Sequence, residues 1–139
     1  MLTCTDIMHT NKQTSPLEPA NILLALGSNC LYSRTIPLAR EQLEQSFTNV
    51  RFTRCIVSED VKNSDAPQYA NCLCKAQTDL DKKVLIRLLK MIEGVCGNNP
   101  ALREQGQVLM DIDLLMYNGE KYHLKDWERP YIKTLLSEL

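Results

Sequence analysis

The stretch Val108–Tyr117, VLMDIDLLMY, decides how this chain is to be read. Its composition is that of a buried strand, yet it carries Asp111 and Asp113. A charge that leaves water unpaired costs free energy. Either the strand ends there and the acids are solvated, or they hold something positive. On a strand, residues two apart share a face, with Cα atoms about 6.5 Å apart at a rise of about 3.3 Å per residue. Met110, Ile112, Leu114 and Met116 then fall on the other face and suit a core. Two carboxylates so placed can share one Mg²⁺ or hold two, leaving positions for phosphate oxygens and water.

Upstream, Asn21–Ser28 (NILLALGS) is a short continuous apolar run closed by a turn, which predicts a buried strand. In residues 31–47, Ile36, Leu38, Ala39, Leu43 and Phe47 recur at helical spacing, with Pro37 suited to the first turn. Residues 50–60 (VRFTRCIVSED) alternate as one strand, 61–68 form a loop, and Tyr69–Thr78 (YANCLCKAQT) is a strand able to pair with the one before it. Asp79 introduces a helix whose stripe is Leu80, Val84, Leu85, Leu88, Leu89 and Ile92, stopped by Gly97. A polar loop over 98–107 leads into the opening strand, and a turn at Asn118–Glu120 and a short helix from Pro130 follow. The order β-α-β-β-α-β predicts an α+β, ferredoxin-like sandwich: an antiparallel sheet with helices on one face, plus a C-terminal hairpin and helix. Residues 1–20 are polar and aperiodic and are expected to be a loose tail before a domain over 21–139.

A net charge of −1 gives no reason to expect nucleic-acid binding, so any phosphate site must be local. No apolar run is long enough to span a membrane, and the start lacks the pattern of a secretion signal. The six cysteines include no CxxC, and reduced thiols acting as small core residues of a cytoplasmic protein are the expectation. A monomer acting on small molecules is expected.

Four segments, in order, resemble the 6-hydroxymethyl-7,8-dihydropterin pyrophosphokinase family of folate synthesis. They are LALGSN (Leu24–Asn29), PQYANCLCKAQTDLD (Pro67–Asp81), IEGVCG (Ile92–Gly97) and DIDLLMYNG (Asp111–Gly119). The resemblance implies a ferredoxin-like fold and Mg²⁺-dependent transfer of pyrophosphate from ATP to the hydroxymethyl group of a reduced pterin. It implies that Asp111 and Asp113 bind Mg²⁺ and that Arg103 and Glu93 serve the nucleotide. Asn71 and Tyr69 would meet the pterin, the first by hydrogen bonds and the second by stacking. Asp60 and Val61 would offer backbone groups, and Asn29 would reach the site from its turn. Without the resemblance, Glu93 is a helix-surface acid, Asn71 a strand-end amide and Tyr69 ordinary packing.

The chain departs from that family around the site. Where a Trp-Gly-Pro-Arg run is usual, Gln105 stands for Trp and Val108 for Arg, while Gly106 is kept. Arg103 is the one cation of that loop, and Tyr131 stands where a His is usual. Arg129 and Lys133 are candidates to supply the missing charge. A weakened enzyme is one reading of this pattern; a catalytically inactive homologue that binds pterin, nucleotide or a protein on the same scaffold is the other.

Overall fold

The computed structural model describes residues 18–58 and 68–139. Its organising element is β1 (Ala20–Ser28), which pairs antiparallel on one side with β4 (Tyr69–Thr78) and on the other with β5 (Asp111–Tyr117). Beyond β4 lie β2 (Thr48–Phe52) and β3 (Ile56–Ser58); beyond β5 lies β6 (Glu120–Lys121). The sheet order is β2-β4-β1-β5-β6, with β3 also on β4. Helices α1 (Tyr32–Ser46) and α2 (Lys82–Val95) cover one face. The ferredoxin-like α+β arrangement expected from the sequence is present.

The opposite face has its own, smaller core. Leu23, Leu73 and Leu115 project there and pack against Ile132 and Leu135 of α4 (Pro130–Leu136). Ile22, Leu24 and Leu26 project the other way, among Ile36, Leu43, Leu85, Leu89 and Ile92. Burial on both faces explains why β1 reads as an unbroken apolar run rather than an alternating one. Cys72 and Cys74 are small buried residues of the helix-side core, and all described cysteines except Cys30 and Cys55 are buried.

The helices follow their sequence stripes with local corrections. Pro37 lies in the second turn of α1, not the first, because the helix starts at Tyr32 behind Leu31, whose φ is 54°. Its ring stays on the exposed side, where the missing N–H is least costly. The cap of α2 is Asp81 rather than Asp79: its Oδ1 accepts from Val84 N at 2.9 Å. Gly97, at φ +97°, ends that helix. The expected loop over 98–107 contains a short helix, α3 (Pro100–Glu104), nucleated by Pro100 and by Asn99 Oδ1 accepting from Leu102 N.

Two strands also differ. β5 begins at Asp111, not Val108, and a bulge against Leu23–Leu24 turns Met116 away from the helix-side core onto the second one. The strand expected over 50–60 breaks into β2 and β3. Phe52 pairs with Cys74 but Ile56 with Asn71, so the edge carries one residue more than β4 can match. Thr53 repairs the break. Its N–H donates to Leu73 O at 3.0 Å, and its Oγ1 accepts from Leu73 N at 2.9 Å, standing in for a strand carbonyl. Replacing Thr53 with the near-isosteric Val leaves the buried Leu73 N–H without an acceptor. Urea unfolding of Thr53→Val is expected to show a loss of about 1–3 kcal/mol with the m-value unchanged.

Candidate functional site

The register across three strands builds the site. Gly27 of β1 pairs with Asp111 on one side and with Asn71 on the other, and Asn71 in turn pairs with Ile56. Directly opposed residues share a face. Ala25, packed against the second core, pairs with Asp113, so both acids project on the face away from α1 and α2. Gly27 leaves the middle of this row empty. A Cβ there would lie 3.1 Å from Asn71 Oδ1 and 3.5 Å from Tyr69 Cε1, so the amide and the ring edge overhang the glycine. Asn71 is only 9% exposed.

The electrostatics of this face are those of crowded acids. Burial, then the neighbouring Asp111, raises the Asp113 carboxyl above its ordinary range; His123 and Lys90 oppose the rise. Tyr69 is raised by burial and by Asp111 and Asp113, with Arg103 opposing. Tyr131 is raised by burial and lies in the field of Asp126, Asp113 and Tyr69, which places it beside the same site. A cation between Asp111 and Asp113 would relieve what burial and repulsion impose.

The flanking residues hold the site's edges. Arg103 of α3 reaches Asp111, Nη2 to Oδ1, at 3.5 Å. Asn29 holds the segment behind α3: its Nδ2 donates to Gly106 O at 2.8 Å and its Oδ1 accepts from Val108 N at 2.7 Å. Both ends of its amide are thus engaged by backbone. Val108, where an arginine is usual, is buried, and Gln105 is exposed beyond α3. Arg129 and Lys133 pair with Asp126 and Glu128 of the preceding turn, at 3.0 and 3.2 Å. Asp60 and Val61 lie outside the described residues.

Glu93 is not the surface acid its helix position suggests. It is buried on α2, where Oε2 accepts from Ile112 N at 2.8 Å and Oε1 meets Lys90 Nζ at 3.2 Å. It fixes β5 between the two aspartates, from the face opposite to theirs. Next to it a cleft of about 360 Å³ runs along the outer edge of β5, where Lys82, Lys90, Tyr122 and His123 face Ile112, Asp113 and Leu114. Lys82 lies over the Tyr122 ring, 3.9 Å from its centroid. These cleft residues carried no local sequence signal, since they come from α2 and from the segment after β6 and meet only in the fold.

A family model described as 7,8-dihydro-6-hydroxymethylpterin-pyrophosphokinase matches residues 23–139, most of the chain. The chain belongs to that family. Among curated relatives, the folic acid synthesis protein FOL1 of Dictyostelium discoideum is 28% identical over 96% of this chain and 22% of its own length. The folate synthesis bifunctional protein of Chlamydia muridarum is 31% identical over 56% of this chain and 19% of its own. A mitochondrial protein of the same name from Pisum sativum is 31% identical over 55% of this chain and 16% of its own. The chain spans about a fifth of the length of these curated relatives.

Glu93 gives a test of the pyrophosphokinase scaffold that is independent of ligands. Glu93→Gln keeps an acceptor for Ile112 N–H and is expected to fold within about 1 kcal/mol of the parent, whereas Glu93→Ala strands that N–H and costs about 1–3 kcal/mol. Burial raises the Glu93 carboxyl in the folded state. The folded chain therefore binds that proton more tightly than the unfolded chain, whose value is about 4.3. The parent's stability relative to Glu93→Gln should accordingly fall as pH rises from about 4.3 towards neutrality. Denaturant titrations of both proteins across that range check the sign.

Proposed function

We propose that this chain transfers pyrophosphate from ATP to a 6-hydroxymethyl-dihydropterin, as a Mg²⁺-dependent enzyme of folate synthesis. The observation that carries the reading is the row Asp111–Gly27–Asn71. It sets the Asn71 amide and an aromatic edge across a glycine floor from two carboxylates. A pterin edge presents donors and acceptors side by side, which an Asn amide can match, and Tyr69 offers a ring for stacking.

Hard carboxylate oxygens suit Mg²⁺. Among the described residues no group of three or more His, Cys, Asp or Glu could hold a metal ion. A Mg²⁺ held by Asp111 and Asp113 would thus complete its shell with water and phosphate oxygens, as this ion readily does. When bound, it supplies charge neutralisation at the transferring phosphoryl group. The protein's own share is positioning: Arg103 beside Asp111 for phosphate, and Lys90, Lys82 and His123 along the cleft next to Asp113. The triphosphate would run from that cleft across the two acids towards the pterin, bringing the hydroxymethyl oxygen in line with the β-phosphorus. Glu93 serves the nucleotide indirectly, by holding Ile112 in the cleft wall. The lysines and His123 stand in for part of the usual arginine clamp, as point charges without its fork geometry.

No helix among the described residues is long and apolar enough to cross a membrane. A cytoplasmic monomer working on small molecules, without nucleic acid, completes the proposal. One observation favours the inactive alternative: Arg103, the single cation of its loop, already lies on Asp111.

Assays of AMP release with ATP, Mg²⁺ and the reduced pterin separate the two readings. Turnover is expected in the parent and a loss of at least about a hundredfold in Asp111→Asn, the scale of removing one preorganised charge-stabilising group. Calorimetry with a non-hydrolysable ATP analogue should show binding that requires Mg²⁺; binding without turnover would favour the inactive homologue. Gly27→Ala places a methyl group against Asn71 Oδ1. It should fold normally yet weaken pterin binding by about fivefold, the value of one hydrogen bond of about 1 kcal/mol.

A further inference from the structure

Away from this face, the break between β2 and β3 brings two thiols together. Thr53 bonds to Leu73 and Ile56 pairs with Asn71, so Arg54 and Cys55 both stand opposite Cys72. Arg54 turns towards the residues just past α4, where its N–H and Nε donate to Glu138 at 3.0 and 2.7 Å. Cys55 packs instead against the helix-side core that contains Cys72, so the two thiols face each other across the break. Their environments differ. Cys72 is 1% exposed, while Cys55 is partly open to solvent. The neighbouring Cys72 lowers the Cys55 thiol against the effect of burial, helped by Arg40, whose guanidinium lies over the Phe52 ring. The neighbouring Cys55 and burial push Cys72 up.

We propose that Cys55 and Cys72 form a redox-active dithiol that closes to a disulfide by exchange with a small disulfide such as glutathione disulfide. The Cys55 thiolate attacks one glutathione sulfur; that S–S bond breaks, and one glutathione leaves as thiolate and takes up a proton. Cys72 then loses its proton to water and attacks Cys55 Sγ, expelling the second glutathione. The protein gives up two electrons and two protons, and glutathione disulfide becomes two thiols. Division of labour follows exposure, with the accessible thiol reacting first and the buried one resolving it. Opposed strand residues carry Cβ atoms about 4.5–5.5 Å apart, whereas a disulfide needs about 3.8 Å. Closure thus requires a movement of about 1 Å, and it falls at a bulge where the ladder is already interrupted. A bridge drawn together in this way is strained and easily reduced again.

The test exposes the folded full-length chain to excess glutathione disulfide, blocks remaining thiols with N-ethylmaleimide, and maps peptides without reduction. The expected product is a peptide pair joined through Cys55 and Cys72 in most chains, abolished by dithiothreitol and absent from Cys55→Ser. Cys72→Ala should instead hold a stable Cys55–glutathione adduct. Because Cys72 lies in the core, Cys55→Ser decides the matter if that second variant does not fold. The proposal is overturned if both thiols of the parent are alkylated, if Cys55 retains glutathione without resolving, or if Cys30 forms the bridge in place of Cys55.

Discussion

The pairing of Gly27 between Asp111 and Asn71 is the constraint from which the site follows. An antiparallel ladder leaves no choice about which side chains face together once its register is set. Here register is set by apolar cores on both sides of β1, Leu24 and Leu26 below, Leu23 above. A slip of one residue would turn each of these leucines towards the wrong core and the acids towards the helix-side core. The free energy that holds the cores is therefore also what holds two carboxylates opposite an amide, and the hollow between them exists because position 27 has no side chain.

Crowding acids on a half-covered sheet face is costly, and the fold answers from several directions. Arg103 approaches from α3, while Lys90 and His123 approach from the β5 edge. Glu93 adds a further negative group beneath β5, but both of its oxygens are occupied, by Ile112 N–H and by Lys90. Charge is thus balanced by groups from separate elements rather than by a run of arginines in one loop. A net charge of −1 over the chain hides this local arrangement.

Much of the architecture was legible because it rests on periodicity. The apolar runs and stripes placed β1, α1, β4 and α2 close to their observed limits, and the aspartate pair and Asn71 fell on one face as alternation required. What escaped was whatever depends on a partner distant in sequence. The break at Thr53 is invisible without Leu73, and the burial of Glu93 is invisible without Ile112. The cleft lysines and His123 look like surface residues until β6 folds back. The bonds from Asn29 to the backbone at Gly106 and Val108 likewise join residues some eighty positions apart, which no local pattern could supply.

The bond from Ile112 N–H to Glu93 has a consequence for how copies of the chain meet one another. β6 pairs with β5 only at Met116 and Tyr117, so among the described residues the earlier part of β5 is a strand edge without a neighbouring strand. Exposed edges of this kind recruit further strands and seed aggregation. Here a buried carboxylate from α2 occupies the donor at Ile112, and Lys90 closes over the carboxylate. An incoming strand would have to displace both before it could pair, so the edge is protected against sheet extension by a side chain rather than by another strand.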